Sequence, residues 1–292
     1  MRNIAYSAAK SDLLTPWQRG NYFSNGEAQH TASLCAELSR LAYCRKAPGL
    51  AFDNDTIRSV LTNLGFSRVG FFESRNMDTK GIHCFTALGP DPDSENQIGM
   101  VVFRGTDADD PTDIGDDADF ILEDWECGGK VHAGFAKALE EVRPGLTNAV
   151  QAMSPPILFT GHSLGAALAT LAASLYKGTG KVAALYTYGS PRVGNSAFAD
   201  TMAKIESYRF RDCSDVVTRV PLSEMGYAHV GPARYIDRNG LITINPSERV
   251  VDEDHVAAEC DYLLKYAWKP ENIGVRDLAD HAPINYVWAV TT

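Results

Sequence analysis

The chain has 292 residues, 45% of them hydrophobic and 22% charged, and carries a formal net charge of −10 from 27 Lys and Arg against 37 Asp and Glu. That much apolar residue supplies a core and excludes wholesale disorder, and the acidic balance lacks the basic footprint of a nucleic-acid binder. No run of about 18 apolar residues is present, so no membrane-spanning helix is expected.

From the N-terminus, the first ~25 residues show no clear period and read as a surface wrap. They also lack the apolar centre of a secretory signal, which points to the cytoplasm or to export by a route without a cleaved N-terminal signal. Leu34, Leu38, Leu41 and Ala42 share one helical face. A second helix is expected from Asp55 as N-cap to Leu64, stopped by Gly65. Short apolar runs at Val69–Phe72, His83–Ala87, Ile98–Phe103 and Ile157–Thr160 read as strands, and the Ala-rich Leu164–Tyr176 as a helix. Val182–Tyr188 and Tyr208–Phe210 are strands, and Arg234–Asp237 with Leu241–Ile244 form a hairpin across Arg238-Asn239-Gly240. Beyond it, Val256, Cys260, Leu263 and Leu264 have the spacing of a helix face. Strands alternating with helices imply an α/β sheet with a parallel centre, and no linker or repeat divides residues 1–292 into two cores. The six Cys lack zinc-ribbon or redox spacing and read as reduced core residues.

One stretch departs from this average. Between Asp107 and Glu126 stand ten acidic residues with no Lys or Arg. They lack the alternate spacing and Gly of a calcium loop and read as a solvated acidic loop.

The chemistry centres on Gly161-His162-Ser163-Leu164-Gly165, a G-x-S-x-G pattern with a strand-like run before it and a helix-like run after it. Such a serine stands on a sharp strand-to-helix turn with its hydroxyl exposed, and residues two positions to either side must be glycine for the turn to close. A serine at its free pKa is a poor nucleophile and needs a His base oriented by a carboxylate, here in the chain order Ser, acid, His. The downstream histidines are 229, 255 and 281; the downstream acids are too many for order alone to choose.

Six ordered stretches together resemble the class 3 lipases, α/β-hydrolases typified by filamentous-fungal triacylglycerol lipases. They are Val101–Thr106 (VVFRGT), Val131–Phe135 (VHAGF), GHSLG, Tyr188–Asn195 (YGSPRVGN), Asp215–Pro221 (DVVTRVP) and Ala279–Val287 (ADHAPINYV). The resemblance runs from about Leu34 to Val287. It implies an α/β-hydrolase fold with a mostly parallel central sheet flanked by helices. It further implies Ser163 as nucleophile, Asp215 as acid and His281 as base, with oxyanion-hole N–H groups from Thr106 and Leu164 and a lid over about 107–130. Where the family often carries a Trp just inside the lid, this chain has Ile114; Ile114, Phe120, Ile121, Leu122 and Trp125 are placed on the lid's inner face. Among the rivals, Asp212 does not open the D-x-V-x-R-x-P stretch, His255 reads as helix surface, His229 sits in a turn without a motif, and His162 is fixed beside the nucleophile.

The expected activity is serine carboxylic-ester hydrolysis through an acyl-enzyme, with triacylglycerol as first substrate, at a lipid–water interface. Phospholipase A1, a feruloyl-type or short-chain esterase, and a non-catalytic lipase-like binding protein are the alternatives. No cofactor and no metal are expected. Gly178-Thr179-Gly180-Lys181 follows a helix and precedes a strand, the reverse of a phosphate loop, and H-E-x-x-H is absent from the sequence.

Overall fold

A computed structural model describes residues 5–46, 51–74, 81–105, 120–154 and 156–291. In chain order it contains α1 (Lys10–Leu14), α2 (Thr31–Leu41), α3 (Asn54–Asn63), β1 (Ser67–Glu73), β2 (His83–Pro90), β3 (Gln97–Phe103), β4 (Leu122–Asp124) and β5 (Lys130–His132). There follow α4 (Ala133–Glu140), α5 (Arg143–Ala152), β6 (Ile157–His162), α6 (Leu164–Leu175), β7 (Val182–Tyr188), β8 (Gly194–Asn195), α7 (Ser196–Thr201) and β9 (Ser207–Asp212). The chain closes with β10 (Tyr227–Ala228), β11 (Ala233–Ile236), β12 (Ile242–Ile244), α8 (Glu248–Lys265), α9 (Arg276–Ala279) and α10 (Pro283–Thr291).

The main sheet has eight strands in the order β1-β2-β3-β6-β7-β9-β11-β12. Its centre, β3 through β11, is parallel, and antiparallel pairs close both edges. A parallel sheet must be covered on both faces because its crossovers place helices there. Accordingly β6 is buried throughout. Two apolar clusters sandwich the sheet: Leu34, Leu38 and Leu41 of α2 with Tyr286 and Val287 of α10 belong to one, and Leu139, Val150, Leu168 and Leu171 of α4 to α6 belong to the other. The α/β-hydrolase architecture is thus present, with β6 and α6 at its centre.

Three local expectations are corrected. The second helix is capped by Asp53, not Asp55: the Asp53 carboxylate accepts from the Thr56 N–H at 3.1 Å and from its hydroxyl at 2.8 Å. Asp55 instead points to solvent and pairs with Lys46 at 2.9 Å; the stop at Gly65 holds, with φ +83°. The first 25 residues are not merely a wrap. Ala8 and Leu13 are buried, and the Ser7 N–H donates to Asn285 Oδ1 at 2.8 Å, tying the N-terminal segment to α10. Helix α8 forms where expected, but its inward face is Val251, Ala258 and Tyr262. Val256, Leu263 and Leu264 face solvent at 63%, 59% and 78% exposure. Two apolar stripes compete on this helix, and the one containing Tyr262 wins because its hydroxyl also finds a buried acceptor, Ile273 O at 2.6 Å.

All six Cys are free, four of them buried. Among the described residues no helix is long and apolar enough to cross a membrane.

Losing an N-cap side chain typically costs about 1 kcal/mol. Asp53→Ala should lower unfolding free energy by that amount in urea titrations, whereas Asp55→Ala should leave it unchanged; the reverse result would restore Asp55 as the cap.

Candidate active site

The centre of the site is the turn between β6 and α6. Ser163 has φ 59° and ψ −130°, a conformation that side-chain-bearing residues adopt only when their surroundings force it. The flanking glycines show what forces it. A Cβ on Gly161 would lie 2.3 Å from the backbone of Gly165, and a Cβ on Gly165 would lie 2.4 Å from the carbonyl oxygen of Phe103. Strand, helix and the exit of β3 therefore meet backbone to backbone, and only glycine fits at the two contacts. The Ser163 N–H donates to Tyr188 O at 3.0 Å, fastening the turn to β7. Leu164 opens α6, so its N–H belongs to the helical turn that has no intrahelical acceptor and carries the positive end of the helix dipole.

Asp215 and His281 come from two other segments. Asp215 precedes the 3₁₀ turn Val216–Arg219, beyond the end of β9. His281 lies between α9 and α10. The structure joins them: the Nδ1 of His281 and Oδ2 of Asp215 are 2.8 Å apart, both groups buried. The second Asp215 oxygen accepts from the Val217 N–H at 2.9 Å. Burial alone would raise the Asp215 pKa, but the adjoining His281 and the hydrogen bonds from His281 and Tyr286 bring it below the ordinary carboxylate value. The carboxylate stays ionised where an imidazolium would need it.

His281 is tied to His162, the residue before Ser163. His162 Nε2–H donates to the backbone oxygen of His281 at 2.9 Å, and the two rings lie 4.5 Å apart. Tyr43 OH meets the other nitrogen of His162, Nδ1, at 2.9 Å. Burial and then the neighbouring His281 hold the His162 pKa well below its ordinary value. His162 is thus a neutral spacer, donor on one nitrogen and acceptor on the other. Ser163 Oγ and the His281 ring are not hydrogen-bonded to each other; such contacts are often loose without substrate.

Of the expected site residues, the structure joins Asp215 to His281 and ties His281 through His162 to the turn bearing Ser163 and Leu164, while Thr106 lies outside the described residues. The rivals are elsewhere engaged. Asp212 is buried and its pKa is raised well above the ordinary value, by burial first and then by Asp280. His255 is on α8 and meets Arg219 at 3.1 Å. His229 donates Nε2–H to Thr218 O at 2.8 Å.

Tyr286 is a partner of the Asp215 carboxylate that the sequence reading did not single out. Its hydroxyl donates to Asp215 Oδ2 at 2.5 Å and accepts the Asp212 N–H at 3.0 Å. Burial, then Asp215, raises its pKa well above the ordinary value, so the phenol remains a donor. The sequence signal was its place in the ADHAPINYV stretch, five residues after His281.

Residues 107–119 of the expected lid lie outside the described residues. Its expected end forms the hairpin of β4 and β5, part of a four-stranded sheet ordered β10-β8-β5-β4. Trp125, placed by the sequence on a lid face, is instead buried in the core, its indole N–H donating to Ser174 Oγ at 2.8 Å. A buried hydroxyl acceptor on α6 gives the indole both of the surroundings it needs.

Residues 100–225 match the family "Lipase (class 3)". A secreted mono- and diacylglycerol lipase of Fusarium solani is 35% identical over 184 residues, covering 56% of this chain and 52% of its own. A lipase of Rhizomucor miehei is 32% identical over 182 residues, 58% of this chain and 48% of its own. The chain thus spans about half the length of the curated relatives it matches. Among solved structures, the mono- and diacylglycerol lipase of Aspergillus oryzae superposes with a TM-score of 0.57 at 27% identity, covering 76% of this chain and 84% of the other.

His162 gives a pH signature. With its folded pKa depressed, the unfolded chain binds the proton first as pH falls below about 6.5, so its contribution is complete above that pH and is lost below it. His162→Asn keeps an acceptor for Tyr43 but cannot titrate. In urea unfolding from pH 7.5 to 5, the stability advantage of wild type over this variant should shrink by about 1.4 kcal/mol per pH unit below about 6.5. A difference independent of pH would show that His162 is protonated in the fold without penalty.

Proposed function

We propose that the chain hydrolyses carboxylic esters of acylglycerols through an acyl-serine, a reading supported by the match of residues 100–225 to the class 3 lipase family. The observation that carries this reading is the buried Asp215–His281 pair at 2.8 Å, tethered through His162 to the strained turn bearing Ser163. The mono- and diacylglycerol lipase names of its relatives support acylglycerols as the substrate class, and triacylglycerol is the reading's first member of that class.

In this reading Ser163 Oγ attacks the ester carbonyl while His281 Nε2 takes its proton. Asp215 fixes the imidazole through Nδ1–H and stabilises the cation that forms; Tyr286 and the Val217 N–H hold Asp215 in turn. The N–H groups of Leu164 and Thr106 receive the developing oxyanion; one such donor typically contributes about 2.7–4 kcal/mol to transition-state stabilisation. His281 then returns the proton to the leaving alcohol, and a water activated by the same imidazole releases the acid. The segment 107–130 covers the acyl cleft, its end anchored by the β4–β5 hairpin and Trp125. The secreted relative supports an exported protein, and water-insoluble acylglycerols would put its action at a lipid–water interface.

A panel of emulsified acylglycerols, phospholipids and nitrophenyl esters of increasing chain length tests this. Wild type should hydrolyse acylglycerols and long-chain esters, and Ser163→Ala should lower kcat by at least about 10⁴-fold. Turnover confined to short soluble esters would make the chain a short-chain esterase, preference for phospholipid would make it a phospholipase, and equal rates in wild type and Ser163→Ala would end the hydrolase reading.

A further inference from the structure

Four arginines converge behind the loop that carries Asp215. Arg209 and Arg211 alternate along β9 and so share a face. Arg192 follows β7, and Arg219 ends the 3₁₀ turn after Asp215. Together with His229 they line one cavity of about 370 Å³. This is a chain of net charge −10, yet among the described residues none of the four forms an ion pair with a carboxylate.

None of their existing partners is a carboxylate. Arg192 Nη1 donates to the carbonyl oxygens of Arg219 and Pro221. Arg209 Nε reaches Gly231 O only at 3.5 Å. Arg211 lies over the Tyr235 ring at 5.7 Å, and Arg219 donates to His255 Nδ1 at 3.1 Å. The Nε atoms of Arg211 and Arg219 are buried without a hydrogen-bond partner. Acids do border the cavity, but Glu224, Glu248 and Asp252 are all solvent-exposed side chains. Burial, then Arg211 and Arg192, pulls the Arg209 pKa down to about 10. Burial, then Arg209 and Arg192, also holds His229 well below its ordinary value, so it stays neutral.

Half-buried charge of one sign, with two buried donors left over, favours a counter-ion of the other sign. We propose that this cavity binds a phosphate group, either as free inorganic phosphate or as a phosphate monoester of a polar lipid headgroup. A phosphate offers two negative charges and three or four acceptor oxygens, matching several guanidinium forks at once, which a single carboxylate does not. The ligand would also brace the active site. Arg192 holds the carbonyls of Arg219 and Pro221, and His229 holds that of Thr218, so occupancy clamps the segment that begins at Asp215. This inference stands independently of the ester-hydrolase reading.

Titration calorimetry of the full chain, at fixed ionic strength in chloride, tests it with inorganic phosphate in one arm and glycerol 3-phosphate in the other. One saturable site per chain is expected, weakened at least about tenfold in Arg211→Gln. Tighter binding of glycerol 3-phosphate identifies the headgroup as the source, and equal or weaker binding identifies free phosphate. Absence of saturable heat with either probe would overturn the proposal. Thermal melting separates a ligand role from a structural one. Without phosphate, Arg211→Gln should melt at or above wild type, because repulsion is relieved, and only wild type should gain melting temperature when phosphate is added. A variant that melts lower than wild type by the same margin in both buffers would contradict the site.

Discussion

The backbone contact between Gly161 and Gly165 is the constraint on which the remainder of the molecule turns. At 2.3 Å for a hypothetical Cβ there is no room for any side chain. That closeness lets α6 rise directly from the end of β6, which in turn forces Ser163 into a φ of 59°. The strain is local and of order 1–3 kcal/mol. It is held in place by elements buried on every side: β3 against Gly165, β7 against the Ser163 N–H, and the apolar clusters on both faces of the sheet. A serine displayed this way stands at the carboxyl end of a parallel strand, beside a free helix N-terminus, where a developing negative charge is favoured.

Around that turn the polar groups are arranged as one connected network rather than as isolated pairs. Tyr43 reaches His162, His162 reaches the backbone of His281, His281 reaches Asp215, and Asp215 is gripped by Tyr286 and the Val217 N–H. A low-dielectric interior makes such a chain costly if any member is unsatisfied and rigid if all are. The charges follow the same logic. Asp215 is kept anionic by donors, while His162 is kept neutral by burial. Nearby, Asp280 takes the Arg276 guanidinium at 3.0 Å and the Ser214 N–H at 2.9 Å, pinning the residues on either side of the pair.

Much of this was legible in the sequence. Strands and helices announced themselves where burial imposes a period or a short apolar run, as in β6 and α6, and the glycine spacing around Ser163 marked the turn because sterics permit few other residues. Asp215 and His281 were legible through motif resemblance, not through local physics, since nothing in their spacing states that they meet. What escaped followed from contacts between distant segments. Asp53 and Asp55 are both good caps by type, and only the path of the chain chooses between them. Helix α8 carries two apolar stripes, and contacts with Cys213, Tyr235 and Ile273 decide which is buried. Tyr286 and Trp125 owe their roles to a hydroxyl and an indole finding partners 71 and 49 residues away. The arginine cavity draws on strands and turns whose positive charges look unremarkable one at a time.

The central claim is that Ser163 is activated by His281. Labelling with a fluorophosphonate, mapped by mass spectrometry in detergent that opens a covered cleft, addresses it most directly. The adduct should sit on Ser163, and His281→Ala, folded by circular dichroism, should slow its formation by orders of magnitude. Labelling at a different residue, or at an undiminished rate without His281, would contradict the account.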